Sequence, residues 1–416
     1  MVLKLREITE NKVGFKITNL GTSIRLSEII LISKDLTLNY NTIRRFFGVI
    51  KGVKPSNYTL DTLAIFNGYI NYNDFLINFG LQNKWDTELE IIDLIHQKNN
   101  EFLIFIIEKL HKEKSFYLKF IQIIRELILI KNYKLLIEVF KLEQTKQKYF
   151  SFDETVLIGI SIGKLLKMIN YNDSQVEKLI MLKNFQDLVI TINVDYSNLS
   201  TYYEHLIIQI YKKSKRKDIL EFCKGVLNIS MYLKNKDIHQ FHRLHYNDNF
   251  HPILKSRIYS QEILKHNKNV INELNYYFEI NEKDGQVSLD YFFEIIFSSI
   301  VTKNFKVMAW LIKKISSQKN YKHFFKFEHY QNFIFMKLLF HTKNNDFSSI
   351  NNTLKYFTTT NLNRSYKKII DQYIYIFKYH TSNVKAENNY LDLYLKNSRE
   401  INLPIFTKKY FLTYFD

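Results

Sequence analysis

Residues 99–110 read NNEFLIFIIEKL, and this stretch exemplifies how most of the chain folds. A polar pair is followed by apolar residues spaced as i, i+3, i+4 and i+7, which is the spacing of one face of an α-helix. The asparagines that precede the apolar face can accept hydrogen bonds from the first free backbone N–H groups of that helix. We therefore predict a capped amphipathic helix here.

The same pattern recurs at unequal intervals along the chain. It is found in KNYKLLIEVFKL from Lys131, RKDILEFCKGVL from Arg216, TKNFKVMAWLIKKI from Thr302 and NNDFSSINNTLKYF from Asn344. From about residue 88 to the end, periodic apolar segments separated by short connections predict consecutive helices that pack as antiparallel hairpins. The predicted helices are 101–111, 116–130, 134–142, 156–168, 174–182, 202–211, 218–232, 270–278, 289–301, 305–315, 330–340, 347–357 and 366–379.

Intervals of this length suit stacked helical hairpins of the tetratricopeptide or HEAT class. Bulky aromatics occupy the places where tetratricopeptide repeats carry small residues. The segment 88–416 therefore resembles a degenerate tetratricopeptide-like α-solenoid, and the predicted fold class is all-α. An irregular all-α bundle is the alternative arrangement of the same helices.

Composition excludes several other classes of protein. The chain has 416 residues, 46% of them hydrophobic, which is enough for about two to three domains. Ten glycines and three prolines are too few for the turns of a large all-β protein. The single cysteine, Cys223, excludes an internal disulfide and every cysteine-based zinc or iron–sulfur site. The apolar runs are too short to span a membrane and the N-terminus lacks the apolar core of a signal peptide, so we expect a cytoplasmic protein without a membrane partner.

The chain is strongly basic. It has 59 Lys plus Arg against 41 Asp plus Glu, a formal net charge of +18. This excess favours a polyanionic partner such as nucleic acid. Abundant Lys, Asn and Ile are also what AT-rich coding DNA produces, so the charge has a compositional alternative.

Residues 1–85 carry six of the ten glycines and read as short amphipathic segments, which predicts a separate N-terminal domain. No clear helical pattern precedes Leu26. Asn39 is placed to cap a helix that weakens at Gly48, and Thr59 is placed to cap another that closes at Gly68. The predicted helices are 26–36, 40–50 and 59–68, followed by a short segment, NYNDFLINFG, at 71–80.

The start of the second of these helices follows a definite order of residue types. A polar cap, two exposed residues, a small polar residue and an apolar core residue are followed by a glycine, a Pro-Ser pair and a Leu–Ala helix. These residues are Asn39, Tyr40, Asn41, Thr42, Ile43, Gly48, Pro55, Ser56, Leu60, Leu63 and Ala64. Residues 26–79 thus resemble the helix-turn-helix domain of the Cro/XRE-type DNA-binding regulators. The resemblance implies that the helix from Tyr40 is a recognition helix in the major groove.

The side chains around this helix suit DNA contact. Tyr40, Asn41 and Arg44 are placed to reach base edges, because Asn pairs with adenine and Arg with guanine. Basic residues at the helix end and in the loop are placed where phosphates pass. Residues 34–54 hold five basic residues and one acid, so positive charge is concentrated there. Protein contact, or a purely structural role for this face, are the alternatives. The predicted DNA-binding residues are Asn39, Tyr40, Asn41, Thr42, Arg44, Arg45, Lys51 and Lys54.

Other candidate sites have simpler interpretations. A histidine group (His239, His242, His245 and His251) reads as a polar helix end before Pro252. On a helix, His239 and His242 would share one face, which leaves metal binding as the alternative, but no recognised zinc pattern is present. The run KKSKRK, residues 212–217, lies between two predicted helices and reads as a solvated connector, with phosphate or RNA binding as the alternative. Cys223 falls on an apolar stripe and reads as a core residue. No nucleotide-binding loop or hydrolase motif is present.

We therefore predict a DNA-binding transcriptional regulator that is not an enzyme and uses no cofactor or metal. The helix-turn-helix domain would bind double-stranded DNA, and the helical array would bind a protein or peptide partner or mediate oligomerisation. A homodimer is expected because one short recognition helix makes few contacts. The alternatives are a protein–protein interaction scaffold, in which the N-terminal helices only cap the solenoid, and an RNA-binding helical repeat.

Overall fold

The computed structural model describes residues 2–51, 54–97, 99–281, 291–317, 328–359, 364–382 and 384–416. Every regular element in this part of the chain is helical and no β-strand occurs in it, which confirms the predicted all-α class. The contacts divide the chain into two compact units, residues 1–103 and 104–416. The boundary expected at residues 85–88 lies within one continuous helix, Tyr72–His96.

Five helices build most of the first unit, and their apolar faces meet in one core. The helices are α1 (Val2–Val13), α2 (Leu20–Lys34), α3 (Tyr40–Phe47), α4 (Asn57–Phe66) and α5 (Tyr72–His96). Burying a large aliphatic or aromatic side chain stabilises a fold by about 1.5–3 kcal/mol. The core consists of Leu5, Ile17, Leu26, Ile30, Leu38, Ile43, Phe46, Leu60, Leu63, Ala64, Phe66 and Phe75.

Helical structure begins earlier than the sequence pattern predicted. The segment before Leu26 contains all of α1 and the first turns of α2. Asn19 caps α2 through a reciprocal capping box, in which Thr22 N donates to Asn19 Oδ1 at 2.9 Å and Thr22 Oγ1 accepts from Asn19 N at 3.2 Å. Each side chain thus accepts a hydrogen bond from a backbone N–H group that has no intrahelical partner at the helix start. The spacing of apolar residues alone does not reveal this capping box.

Two further helix starts in the first unit differ from the prediction. Ser56, and not Thr59, caps α4, because Ser56 Oγ accepts from Thr59 N at 3.3 Å. Asn71 caps α5 by accepting from Asp74 N at 2.8 Å, and the segment predicted to be short is the start of a 25-residue helix.

The described part of the chain continues as helices, many of them joined by short connections. Three-residue 3₁₀ turns occur at Glu143–Thr145, Gln147–Tyr149, Leu166–Met168, Tyr196–Asn198 and Ile238–Gln240, and α11 continues into a π-helical turn at Gln186–Ile190. The helices are α6 (Asn100–Leu110), α7 (Phe116–Leu129), α8 (Tyr133–Lys141), α9 (Phe152–Gly163), α10 (Ser174–Ile180), α11 (Lys183–Phe185), α12 (Tyr202–Lys213), α13 (Lys217–Leu233), α14 (Pro252–Leu264), α15 (Val270–Asn281), α16 (Phe293–Val301), α17 (Phe305–Ser316), α18 (Glu328–Lys343), α19 (Phe347–Leu354), α20 (Arg364–Thr381), α21 (Val384–Ile401) and α22 (Lys408–Leu412).

Helices that are neighbours in sequence pack against each other through much of the second unit. The pairs include α7 with α8, α12 with α13, α13 with α14, α16 with α17, α18 with α19, and α20 with α21. Contacts also join α17 to α18, and longer-range contacts join α14 to α16, α16 to α18, and α20 to the turn Tyr196–Asn198. This is the contact pattern of stacked helices.

A shared hydrogen-bonded turn explains three copies of the recurring sequence pattern. In each copy, the connection between two consecutive helices contains a residue with a left-handed backbone, with φ between 52° and 58°. The next residue accepts a backbone N–H three positions further on at 3.0–3.1 Å and so caps the second helix. The turns are Lys131–Asn132, Lys303–Asn304 and Asn345–Asp346.

The histidine-rich segment is not the end of a helix, contrary to the prediction. After the single turn Ile238–Gln240 the backbone has no regular structure until Pro252, so His239 and His242 do not share a helix face. Pro252 instead starts α14, which the sequence pattern missed. Proline suits the first helical position because its missing N–H has no intrahelical acceptor there.

The second unit buries an ion pair between α14 and α16. The guanidinium of Arg257 contacts the carboxylate of Glu294, and Tyr196 Oη donates to Glu294 Oε2 at 2.5 Å. The Arg257 side chain is 2% exposed and that of Glu294 is fully buried. Arg257 also lies over the ring of Phe222 on α13, 4.7 Å from its centroid. One polar cluster thus links three helices and the turn at Tyr196.

A close crossing in the same unit depends on two glycines of α9. A Cβ at Gly159 would lie 2.3 Å from Ile192 Cγ2 and 2.7 Å from the carbonyl oxygen of Leu188. A Cβ at Gly163 would lie 2.4 Å from Asn193 Cγ. The two glycines are four residues apart and share a helix face, so they let α9 approach the π-helical turn and the residues after it.

Candidate nucleic-acid interface

The helix α3 has local signals at both ends. Asn39 Oδ1 accepts from Asn41 N at 2.8 Å, which confirms Asn39 as the N-cap. The helix ends at Phe47 because Gly48 adopts a left-handed backbone with φ +80°, a conformation that favours glycine. Ile43 and Phe46 anchor the apolar side of α3 in the core of the first unit.

The predicted contact residues divide into exposed and half-buried side chains. Asn39, Tyr40, Arg45, Lys51 and Lys54 are exposed. Asn41, Thr42 and Arg44 are half-buried. Asn39 uses its side-chain oxygen as the cap, so that oxygen serves the protein backbone.

Asn41 and Arg44 form a pair on α3. Arg44 Nη1 donates to Asn41 Oδ1 at 3.1 Å, and Arg44 Nε is buried without a hydrogen-bond partner among the described residues. The two side chains therefore present a joint surface one turn along the helix. The Asn41 amide group and the remaining N–H groups on the Arg44 Nη atoms are donors, which suits acceptors such as guanine O6 and N7 or thymine O4.

The three exposed cations beyond this pair have no acidic partner in the described part of the chain. Arg45 lies in the last turn of α3, and Lys51 and Lys54 lie in the connection to α4. Two other cations of the first unit are neutralised locally: Lys4 pairs with Glu7 at 2.8 Å and Lys16 with Glu10 at 2.9 Å. Positive charge is thus left free beside α3.

A concave surface lies where the N-termini of α3 and α4 meet the second half of α2, and the pocket that it forms has a volume of about 540 Å³. Tyr58 Oη donates to the carbonyl oxygen of Thr37 at 2.9 Å, and Ser27 Oγ donates to that of Leu38 at 2.6 Å, so two hydroxyl groups hold the connection between α2 and α3. Eight of the ten lining residues carry a hydroxyl or amide group. The lining residues are Ser27, Leu31, Thr37, Leu38, Asn39, Tyr40, Thr42, Ser56, Tyr58 and Thr59.

The structure adds residues to this surface that the sequence pattern did not indicate. Ser56 and Tyr58 begin α4, yet they line the same surface as Asn39 and Tyr40 of α3. The spacing of Ser56 and Thr59 is that of a helix cap and was a usable signal for the start of α4. Nothing in the local sequence places Tyr58 against Thr37, because 21 residues separate them.

The other basic candidate is partly neutralised. Of the run 212–217, which was predicted to lie between two helices, only residues 214–216 connect α12 to α13; Lys212 and Lys213 end α12 and Lys217 begins α13. Arg216 Nη2 lies 2.7 Å from both Asp187 and Asp218 carboxylates, and Lys213 pairs with Glu177 at 2.5 Å. These acids reduce the positive charge available to a phosphate.

Cys223 is buried on α13, as predicted. Burial raises the pKa of its thiol to about 12. We expect a thiol reagent at about pH 8 to label the native chain at least about 100-fold more slowly than the chain in denaturant, because reaction needs an exposed thiolate. Absorbance from a disulfide reagent measures both rates, and each chain supplies one thiol as an internal standard. Native labelling within a few-fold of the denatured rate would contradict this burial.

Among the described residues, no group of three His, Cys, Asp or Glu side chains is arranged to hold a metal ion. No described helix has both the length and the apolar character needed to cross a bilayer. Comparison with models of protein families, with curated proteins and with solved structures finds no match to this chain. The helix-turn-helix and tetratricopeptide-like resemblances stay predictions.

Proposed function

We propose that this chain is a DNA-binding transcriptional regulator that contacts double-stranded DNA through α3 and the connection after it. In this proposal α2 and α3 act as a helix-turn-helix, and the helices of residues 104–416 form a tetratricopeptide-like solenoid that binds a protein or peptide partner. One observation carries the proposal. The core holds one side of α3, and three free cations are exposed next: Arg45 in the last turn of α3, and Lys51 and Lys54 in the connection after it.

The positions of these groups suit a division between phosphate and base contacts. Exposed cations at the end of a helix can neutralise phosphates and fix the orientation of that helix on the duplex. Tyr40 is exposed at the first turn of α3, and the Asn41–Arg44 pair lies on the same helix. In this proposal these donors contact base edges, and they precede the three cations in the chain.

The concave surface supports the same assignment. The first backbone N–H groups of α3 and α4 carry partial positive charge, and both helices begin at this surface. Phosphate oxygens accept hydrogen bonds from such N–H groups and from serine and threonine hydroxyls. A backbone phosphate at this surface would align α3 with the groove.

The test removes the three free cations together. In the variant Arg45→Ala/Lys51→Ala/Lys54→Ala we expect the affinity for a duplex selected from a random library to fall by roughly 10- to 100-fold at about 0.1 M salt. The slope of log K against log salt should decrease by up to about 2.7, because each phosphate contact contributes about 0.9. Electrophoretic mobility shift or fluorescence anisotropy at several salt concentrations measures both quantities.

A matched variant controls for net charge. Lys134, Lys164 and Lys178 are exposed lysines of the second unit, and Lys134→Ala/Lys164→Ala/Lys178→Ala removes the same charge. This variant should bind DNA within about threefold of the wild type. Equal losses of DNA affinity in the two variants would show that the binding is due to general electrostatic attraction. No enriched sequence from the folded wild type would reject sequence-specific recognition and favour the scaffold interpretation.

A further inference from the structure

The exposed side of α2 carries an apolar stripe that the core of the first unit does not use. Four large apolar side chains on this one helix are exposed by 37–85%. Exposed apolar side chains grouped on one helix face are typical of an interaction surface rather than of a solvated helix. They are Leu20, Ile24, Leu31 and Ile32.

Two oppositely charged residues lie within this stripe. Arg25 and Glu28 are both exposed, and neither forms an ion pair within the described residues. The guanidinium of Arg25 stacks on the ring of Phe15, 4.7 Å from its centroid, which holds it beside the stripe. The face therefore carries one charge of each sign among apolar side chains.

The order of these residues makes the face complementary to itself. If two copies of α2 pack antiparallel about a two-fold axis at the level of Leu26, Leu20 meets Ile32 of the other copy and Gly21 meets Leu31. In the same register Arg25 lies within one residue, about 1.5 Å along the helix axis, of the level of Glu28 of the other copy, and the symmetry repeats each contact. Gly21 offers room for Leu31, since a Cβ there would meet only Asn19 Oδ1 at 3.5 Å.

We propose that a second copy of this chain covers this face, through an antiparallel pair of α2 helices. This inference stands on α2 alone and does not rest on DNA binding, although Leu31 also lines the concave surface beside α3. A pair of 15-residue helices buries less than the roughly 800 Å² per partner of a standard interface, so we expect a dissociation constant on the order of micromolar to tens of micromolar.

The first test compares two exposed isoleucines of the first unit. Ile32 is 85% exposed on the stripe and Ile70 is 79% exposed in the connection between α4 and α5. Sedimentation of the full chain, from about 1 to about 200 µM, should show a monomer–dimer equilibrium. Ile32→Glu should weaken it by about tenfold or more, and Ile70→Glu should leave it unchanged. A wild type that stays monomeric, or a dimer that Ile32→Glu does not weaken, overturns the proposal.

The second test uses the charge pair to report the antiparallel register. Arg25→Glu and Glu28→Arg each place like charges across the two-fold axis, so each variant alone should dimerise about tenfold more weakly. In a mixture of the two variants, the introduced glutamate of one chain faces the introduced arginine of the other, and the native Glu28 faces the native Arg25. The mixture should therefore recover the wild-type affinity as a heterodimer. Circular dichroism checks that each variant is folded. Failure of the mixture to recover, with both variants folded, overturns the antiparallel α2 pair.

Discussion

Replacing Glu294 by alanine is expected to lower the free energy of unfolding of the second unit by about 3–5 kcal/mol. The carboxylate is fully buried and accepts from Tyr196 Oη and from the guanidinium of Arg257. The variant leaves the Arg257 charge buried without a counter-charge, and the low dielectric of the interior makes this far more costly than losing an exposed pair.

Urea unfolding monitored by Cys223 labelling measures this effect, because Cys223 is buried on α13 within the second unit. Glu138→Ala is the control: Glu138 pairs with Lys141 at 2.9 Å, and both side chains are about half exposed. The Glu138→Ala variant should lose less than about 1 kcal/mol of the free energy of unfolding. The double variant Arg257→Met/Glu294→Leu should recover most of the stability, because apolar residues of similar volume often replace a buried ion pair without loss. If Glu294→Ala lowers the free energy of unfolding no more than the control does, the buried Arg257–Glu294 pair does not stabilise the fold.

Gly159→Ala is expected to destabilise the second unit by about 1–3 kcal/mol, although alanine is the better helix former. The added Cβ would lie 2.7 Å from the Leu188 carbonyl oxygen, which is backbone and cannot rotate away, and 2.3 Å from Ile192 Cγ2. The helix must therefore shift away from the π-helical turn. The same labelling assay in urea measures the change.

Gly21→Ala supplies the matched control for that helix substitution. Gly21 lies in the first turn of α2, where a Cβ makes one ordinary contact with Asn19 Oδ1 at 3.5 Å. The free energy of unfolding should be unchanged or should rise by up to about 1 kcal/mol, measured at concentrations at which the chain is monomeric. A Gly159→Ala variant as stable as the wild type would contradict the close crossing of α9.

The sequence by itself determined the fold class and the positions of most helices. Helical periodicity and caps act over three or four residues, so the chain displays them locally. Asn39 before α3, Gly48 after it and the Asn–aromatic starts of α8 and α17 are signals of this kind. Where local signals were less direct, as at Asn19 before α2 or Pro252 before α14, the prediction began the helix too late or missed it.

Only the tertiary structure decided which side chains meet across long separations in the chain. Tyr58 with Thr37, and Arg257 with Glu294, are brought together by packing of the elements that carry them. The exposed side of α2 is likewise defined only once the core has selected the other side. The physical reason is that these arrangements follow from the burial of whole helix faces against one another, a term of the folding free energy that no short stretch of sequence contains.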